Sequence, residues 1–171
     1  MTVTLTPEDL AAIRRGHDPD PSRSLSLAAE AYTQDKWYRV DQQAIFARTW
    51  QWVCHVEKLR APGSYMATEI AGRPIALVRD RAGVLRAFYN VCRHRGAKLE
   101  REEAGCKHRF SCPYHAWTYN NGGDLIAVPH EKTGFPNLNR EEFGLHSVAC
   151  EEFAGWIWVS FAEDEAIDVA A

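Results

Sequence analysis

Two short stretches carry the residues able to do chemistry: NVCRHRGAKLE at 90–100 and FSCPYHAWTYNNGG at 110–123. The first holds Cys92 and His94 as Cys-x-His, the second Cys112 and His115 as Cys-x-x-His, with residues 95–111 between them. Thiolate and imidazole are the soft and borderline donors that bind iron, zinc or copper. Two thiolates on one iron and two neutral imidazoles on another make an unequal pair, in which the imidazole side is expected to take the electron. Were the metal a pair of bridged irons, replacing two thiolates by imidazoles would raise its reduction potential over that of an all-cysteine site.

Two cysteines and two histidines are also an ordinary tetrahedral zinc set, so spacing alone leaves a zinc-stabilised binding module open. Zinc knuckles more often pair like with like, Cys-x2-4-Cys and His-x3-5-His. Here each loop mixes one of each, which favours iron-sulfur. The remaining cysteines, Cys54, Cys106 and Cys150, are read as lacking a motif histidine, hence as buried small hydrophobes or idle thiols. His17, His55, His108, His130 and His146 are read as structural.

The elements that must position these loops are short. After Trp50, runs rich in valine, isoleucine, tyrosine and tryptophan are punctuated by Pro62-Gly63, Gly72-Arg73-Pro74, Asp80 to Gly83 and Asn120 to Gly123. Strands are expected at 51–56, 65–70, 75–79, 84–89, 108–111, 116–119, 124–127, 146–151 and 156–161. Their spacing suggests an antiparallel β sandwich or barrel rather than βα units. Each Cys/His pair follows a strand and precedes a turn, so paired strands would bring both loops to one end of the sheet. Trp117 and Tyr119 alternate along a strand and read first as core packing, second as shielding for the site. Arg93 and Arg95 flank His94, either as docking charges or as solvated loop residues.

Ahead of the strands, Thr6-Pro7-Glu8-Asp9 has a cap, a proline and acids, predicting a helix to Arg15 that stops at Gly16. His17 to Ser26 reads as loop. Apolar steps of three and four from Asp35 predict a second helix ending near Arg48. Pro129 to Asn139 reads as a long loop, Arg140 to Phe143 as one helical turn. The expected division is a helical lead at 1–48, the β domain at 49–161, and a linker or cut end at 162–171.

Composition excludes several classes. The 171 residues are 46% hydrophobic and 25% charged with a net charge of -3, and no basic run is long enough to track phosphates, so nucleic acid is not an expected partner. The start MTVTLTPEDL is not a signal peptide and no apolar run reaches ~18 residues, so no membrane span is expected and the cytoplasm is the expected compartment. Five cysteines in a reducing compartment favour metal ligation or burial over disulfides.

CRHRGA followed by CPYHAWTY resembles the cluster motif of the Rieske family. That resemblance implies a Rieske-type 2Fe-2S cluster, with Cys92 and Cys112 on one iron and His94 and His115 on the iron nearer solvent. Ala97 and Tyr114 stand where respiratory Rieske proteins place a disulfide, so the oxygenase and ferredoxin branches fit better. Ile45-Phe46 with Trp50, Pro62-Gly63-Ser64-Tyr65, Val78-Arg79-Asp80, Arg86-Ala87-Phe88-Tyr89-Asn90 and Gly155-Trp156 are similar to the N-terminal domain of Rieske oxygenase α subunits, and the long lead before the first strand favours them over stand-alone Rieske ferredoxins. AYTQDKWYRVDQQAIFARTWQWVCHVEKL is similar to oxygenases acting on quaternary ammonium compounds, and shares much with aromatic-ring hydroxylases. Ala116 stands where the family usually has glycine, a substitution free of strain only at negative φ.

The family implies electron supply by an NAD(P)H-dependent reductase or a ferredoxin, and delivery to a mononuclear Fe(II) held by two histidines and a carboxylate in a catalytic oxygenase domain or subunit. It leaves homo-oligomers possible. The triad spacing, an acid, two residues, a histidine, four residues and a histidine, does not occur here: no two of the seven histidines are five apart. The catalytic part is therefore expected elsewhere, in a longer protein, a partner subunit or a partner enzyme.

Overall fold

A computed structural model describes residues 5–162, in two units that divide between Arg48 and Thr49. The tail expectation lies outside the described residues from 163 onward.

The first unit is helical. Pro7–Arg14 forms α1, started as its sequence dictates: Thr6 accepts from the Asp9 N–H, Asp9 returns the bond to the Thr6 N–H, and proline occupies the first turn. Ala29–Thr33 forms α2 and Asp35–Asp41 forms α3. An ion pair joins Lys36 of α3 to Asp9 of α1. Two expectations are corrected here. The helix α2 is unforeseen, and the run from Asp35 toward Arg48 leaves α geometry at Gln42, continuing as a π turn over Gln42–Phe46. Trp37 is the buried residue among those described in this unit.

The second unit is mainly antiparallel β. Strands β1 (Gln51–His55), β2 (Ser64–Ile70), β3 (Arg73–Arg79), β4 (Leu85–Tyr89) and β5 (Ala104–Cys106) are followed by β6 (Arg109–Ser111), β7 (Thr118–Asn120), β8 (Leu125–Ala127), β9 (Ser147–Phe153) and β10 (Trp156–Ser160). Seven strands form one sheet in the order β1-β10-β9-β4-β3-β2-β5, and three form a second, β6-β7-β8. The expected strands are all present, and β5 is additional.

Two hairpins close with two-residue turns of positive φ: Ala71 and Gly72 at 50° and 72°, Ala154 and Gly155 at 51° and 82°. That mirror-image turn matches the twist of the strands it joins, which sets the Ile70↔Arg73 and Phe153↔Trp156 registers. The third connection, β3 to β4, is built on Asp80. Its carboxylate accepts from the N–H groups of Ala82 and Val84 and from Arg86 Nε at 2.9, 2.9 and 2.8 Å.

The large sheet buries Leu59, Ile75, Leu77, Ile157 and Val159 completely. Tyr65, Val78, Phe88 and Phe110 form a cluster between the sheets, with Tyr65 edge-on to Phe110 at 5.7 Å. The turn after β7 needs Gly123: at φ 92° a Cβ there would sit 2.5 Å from the Phe88 ring. A third cluster joins Cys92, Leu99, Cys112, Trp117, Tyr119, Leu125 and Val128, so the two motif cysteines are part of the core. The segment 129–139 is not wholly loop, since Glu131–Gly134 makes a turn of helix, and Arg140–Phe143 is the expected single turn, of 3-10 type.

No described helix is long and apolar enough to cross a membrane.

Candidate metal centre

The two motif loops are near copies of one another. In the first, following β4, the Cys92 N–H donates to the Ala97 carbonyl at 2.8 Å and the Gly96 N–H to the Cys92 carbonyl at 3.0 Å. In the second, between β6 and β7, the Cys112 N–H donates to the Trp117 carbonyl at 2.8 Å and the Ala116 N–H to the Cys112 carbonyl at 2.9 Å. Both turns use positive φ four residues after the cysteine, 70° at Gly96 and 55° at Ala116. Ala116 therefore lies on the strained side of the condition set by its sequence.

The first loop is clamped at its base by Asn90, fully buried. Its amide N–H donates to the Glu100 carbonyl at 2.8 Å, and its carbonyl accepts the Glu100 N–H at 2.9 Å. Glu100, itself buried, pairs with Lys107 at 2.6 Å.

The four motif side chains fall into two pairs, thiol beside thiol and imidazole beside imidazole. Cys92 and Cys112 are buried and in no disulfide. Burial pushes the Cys92 thiol up, the contact with Tyr119 opposes that, and the Cys112 thiol beside it adds to it. The imidazoles of His94 and His115 lie edge to face, centroids 4.8 Å apart. Both Nδ1 atoms are buried without a hydrogen-bond partner. Burial, then the neighbouring His115 and Arg95, hold His94 below the ordinary histidine range, which favours the neutral imidazole.

Aromatic rings fix the imidazoles. His94 stacks on Trp117 at 4.8 Å and 8°, with Phe135 edge-on at 5.7 Å, and Tyr114 covers His115 at 3.8 Å. Tyr119 is completely buried, its hydroxyl 3.4 Å from Cys92 Sγ and accepting the Arg93 N–H at 3.1 Å. Toward a thiolate at that sulfur, its hydroxyl can only donate. The alternation of Trp117 and Tyr119 reveals their burial; that they contact the motif residues emerges only when the loops come together.

Of the two flanking arginines, Arg93 is engaged: its guanidinium contacts His146 Nε2 and donates to the Glu142 carbonyl. Arg95 is exposed. His55 accepts the Glu57 N–H at the start of a 3-10 turn, and His130 has φ 56° at the start of Glu131–Gly134.

The reading of the other cysteines needs correction at Cys106. Of the two alternatives, burial and an idle thiol, its exposure excludes burial, and the expectation that it lacks a histidine at motif spacing does not hold, since with His108 it repeats the Cys-x-His spacing of the first motif. It lies on β5, outside both loops.

A single zinc ion needs four donors about 2.0–2.3 Å from one point. Among the described residues no three His, Cys, Asp or Glu side chains gather in that way. A thiol pair plus an imidazole pair with both Nδ1 atoms orphaned suits two metals sharing four protein ligands, the demand of a Rieske-type 2Fe-2S cluster.

Residues 49–149 match the Rieske [2Fe-2S] domain family, and the chain belongs to it, with the Rieske-type 2Fe-2S cluster and the electron-transfer role that go with it. The relatives are oxygenase α subunits. The chain is 33% identical over 142 residues to the biphenyl 2,3-dioxygenase subunit alpha of Rhodococcus jostii, covering 83% of this chain and 31% of that one. It is 32% identical over 162 residues to the carnitine monooxygenase oxygenase subunit of Acinetobacter baumannii, covering 95% and 42%. Among solved structures, naphthalene 1,2-dioxygenase from a Rhodococcus species superposes with a TM-score of 0.87 at 28% identity, over 94% of this chain and 37% of that one. A quaternary ammonium Rieske monooxygenase with L-carnitine superposes at 0.75 and 32% identity, over 81% and 39%. The chain thus spans well under half the length of these proteins.

Proposed function

We propose that residues 49–161 form the cluster domain of a Rieske oxygenase system, with 1–48 as its helical lead, and that Cys92, Cys112, His94 and His115 are the four protein ligands. The observation that carries the assignment is that the His94 and His115 rings adjoin, each with a buried, unpartnered Nδ1, while Cys92 and Cys112 of the same two loops are buried free thiols. Cys92 and Cys112 would hold the cluster as thiolates, His94 and His115 through the Nδ1 atoms that lack other partners. A bound 2Fe-2S cluster supplies reversible one-electron storage.

The chain's own residues do the rest. Trp117 and Phe135 hold the His94 ring in one orientation, Tyr119 offers its hydrogen to Cys92, and the surrounding core excludes water from the thiolates. A cluster held here would take its electron from an NAD(P)H-dependent reductase or a ferredoxin and would pass it to a mononuclear iron in a catalytic oxygenase domain or subunit. Arg95, exposed beside His94, is a charge that an acidic donor or acceptor surface would meet. Relatives acting on aromatic rings and on carnitine both support an oxygenase system, with an aromatic or a quaternary ammonium substrate.

The test is ligand replacement. Cys92→Ser and His115→Ala proteins should each lose the cluster, read as iron and acid-labile sulfide per chain and as visible absorption. Full iron and sulfide in Cys92→Ser would overturn the assignment.

A further inference from the structure

Away from the cluster loops, β5 ends at Cys106 and β6 begins at Arg109, and this edge lines a cleft of about 870 Å³. Cys106 is the one cysteine classed as exposed; Cys54, Cys92 and Cys112 are buried, and Cys150 is partly buried with its thiol pushed up to about 11 by desolvation. Gly63, at φ 87°, leaves open a space beside this thiol. A Cβ there would sit 3.1 Å from Cys106 Sγ and 3.0 Å from His108 Nδ1, so thiol and imidazole border the same gap. The thiol has only a long contact to the Pro62 carbonyl, 3.8 Å.

The cleft is cationic in a chain of net charge -3. Arg81, Lys107 and Arg109 line it. Lys107 neutralises Glu100, while among the described residues Arg81 and Arg109 have no ion-pair partner. The lining carboxylate, Asp80, is already taken by Arg86 and two N–H groups. Asn121, 4% exposed, lines the same cleft. Its amide N–H donates to the Lys107 carbonyl at 2.9 Å, which fixes the wall of the cleft behind the two arginines' segments.

We propose that Cys106 is a site of mixed-disulfide formation with an anionic peptide disulfide of the glutathione class. His108 takes the thiol proton. The Cys106 thiolate attacks one sulfur of oxidised glutathione, the glutathione S–S bond breaks, and a Cys106–glutathione S–S bond forms. One glutathione thiolate leaves and takes up the proton. Cys106 is oxidised, half of the reagent disulfide is reduced, and no further oxidant is needed. Arg81 and Arg109 meet the peptide carboxylates. The inference is independent of the cluster assignment.

The experiment uses cluster-loaded full chain incubated anaerobically with oxidised glutathione, read by intact mass and peptide mapping without reduction. One glutathionyl group per chain, mapped to Cys106 and absent from Cys106→Ser, is expected, with the visible spectrum unchanged. The Arg81→Gln/Arg109→Gln variant should react about tenfold more slowly with oxidised glutathione, yet within about twofold of wild type with the neutral bis(2-hydroxyethyl) disulfide. Modification mapping to another cysteine, or an arginine pair that slows both reagents alike or neither, would overturn the proposal.

Discussion

At the scale of single residues, the site's chemistry depends on groups that are not ligands. Tyr119 accepts the Arg93 N–H, and toward a thiolate at Cys92, whose Sγ is 3.4 Å away, its hydroxyl can only donate. A hydrogen bond to a ligating sulfur stabilises the more negative, reduced state. Tyr119→Phe should therefore keep the cluster and lower its potential by some tens of millivolts, at about 60 mV for each ~1.4 kcal/mol of differential stabilisation lost in a one-electron couple. Protein-film voltammetry reads this directly, and an unchanged or raised potential would refute it. Ala116 gives a second prediction. At φ 55° an L residue costs roughly 1–2 kcal/mol, against about 0.5–1 kcal/mol of extra chain entropy lost by glycine. Ala116→Gly should stabilise the domain by about 0.5–1 kcal/mol, seen as a higher denaturant midpoint at unchanged slope; a lower midpoint would show that the turn is not strained.

At the scale of elements, the sequence was legible where polar and apolar residues alternate. Strands β1 to β4 and β6 to β10 follow from β-branched and aromatic runs between turn residues. The unforeseen β5, Ala104–Cys106, is exposed along its whole length and contains Gly105, so it has no apolar face to announce it; its partner β2 imposes it. The helix α2 is equally silent, five residues whose N-cap, Ala28, makes no side-chain capping bond. The β3–β4 turn is legible as a turn, and its strength comes from Asp80. Arg86 first, then the Val84 and Ala82 N–H groups, hold its carboxyl below the usual carboxylate range. A depressed folded value contributes stability that is fully present above the unfolded pKa near 3.9 and is lost as pH falls through the lower folded value. Asp80→Asn should cost about 1–2 kcal/mol at pH 7. The difference from wild type should shrink below about pH 4 in denaturant titrations across that range; a difference independent of pH would contradict the charge-based account.

At the scale of the whole molecule, the two Cys/His pairs were legible as a candidate site because Cys-x-His and Cys-x-x-His sit in short motifs, whereas the aromatic setting around them was not. Trp117 reaches His94 and Tyr119 reaches Cys92 across two loops whose approach is set by sheet pairing and by the Gly123 turn on Phe88. The same limit applies to Cys106 and His108, which repeat a motif spacing yet lie on a different edge of the fold. Chain length matters too: relatives with catalytic activity are two to three times longer, so on the proposed reading this chain stores and passes electrons while dioxygen chemistry belongs to residues it does not contain. The most direct test is the iron, sulfide and zinc content of anaerobically purified protein, with its electron paramagnetic resonance after dithionite reduction. Two irons and two sulfides per chain, a Rieske-type reduced signal and no additional mononuclear iron are predicted; one zinc per chain with no reducible centre would contradict the account.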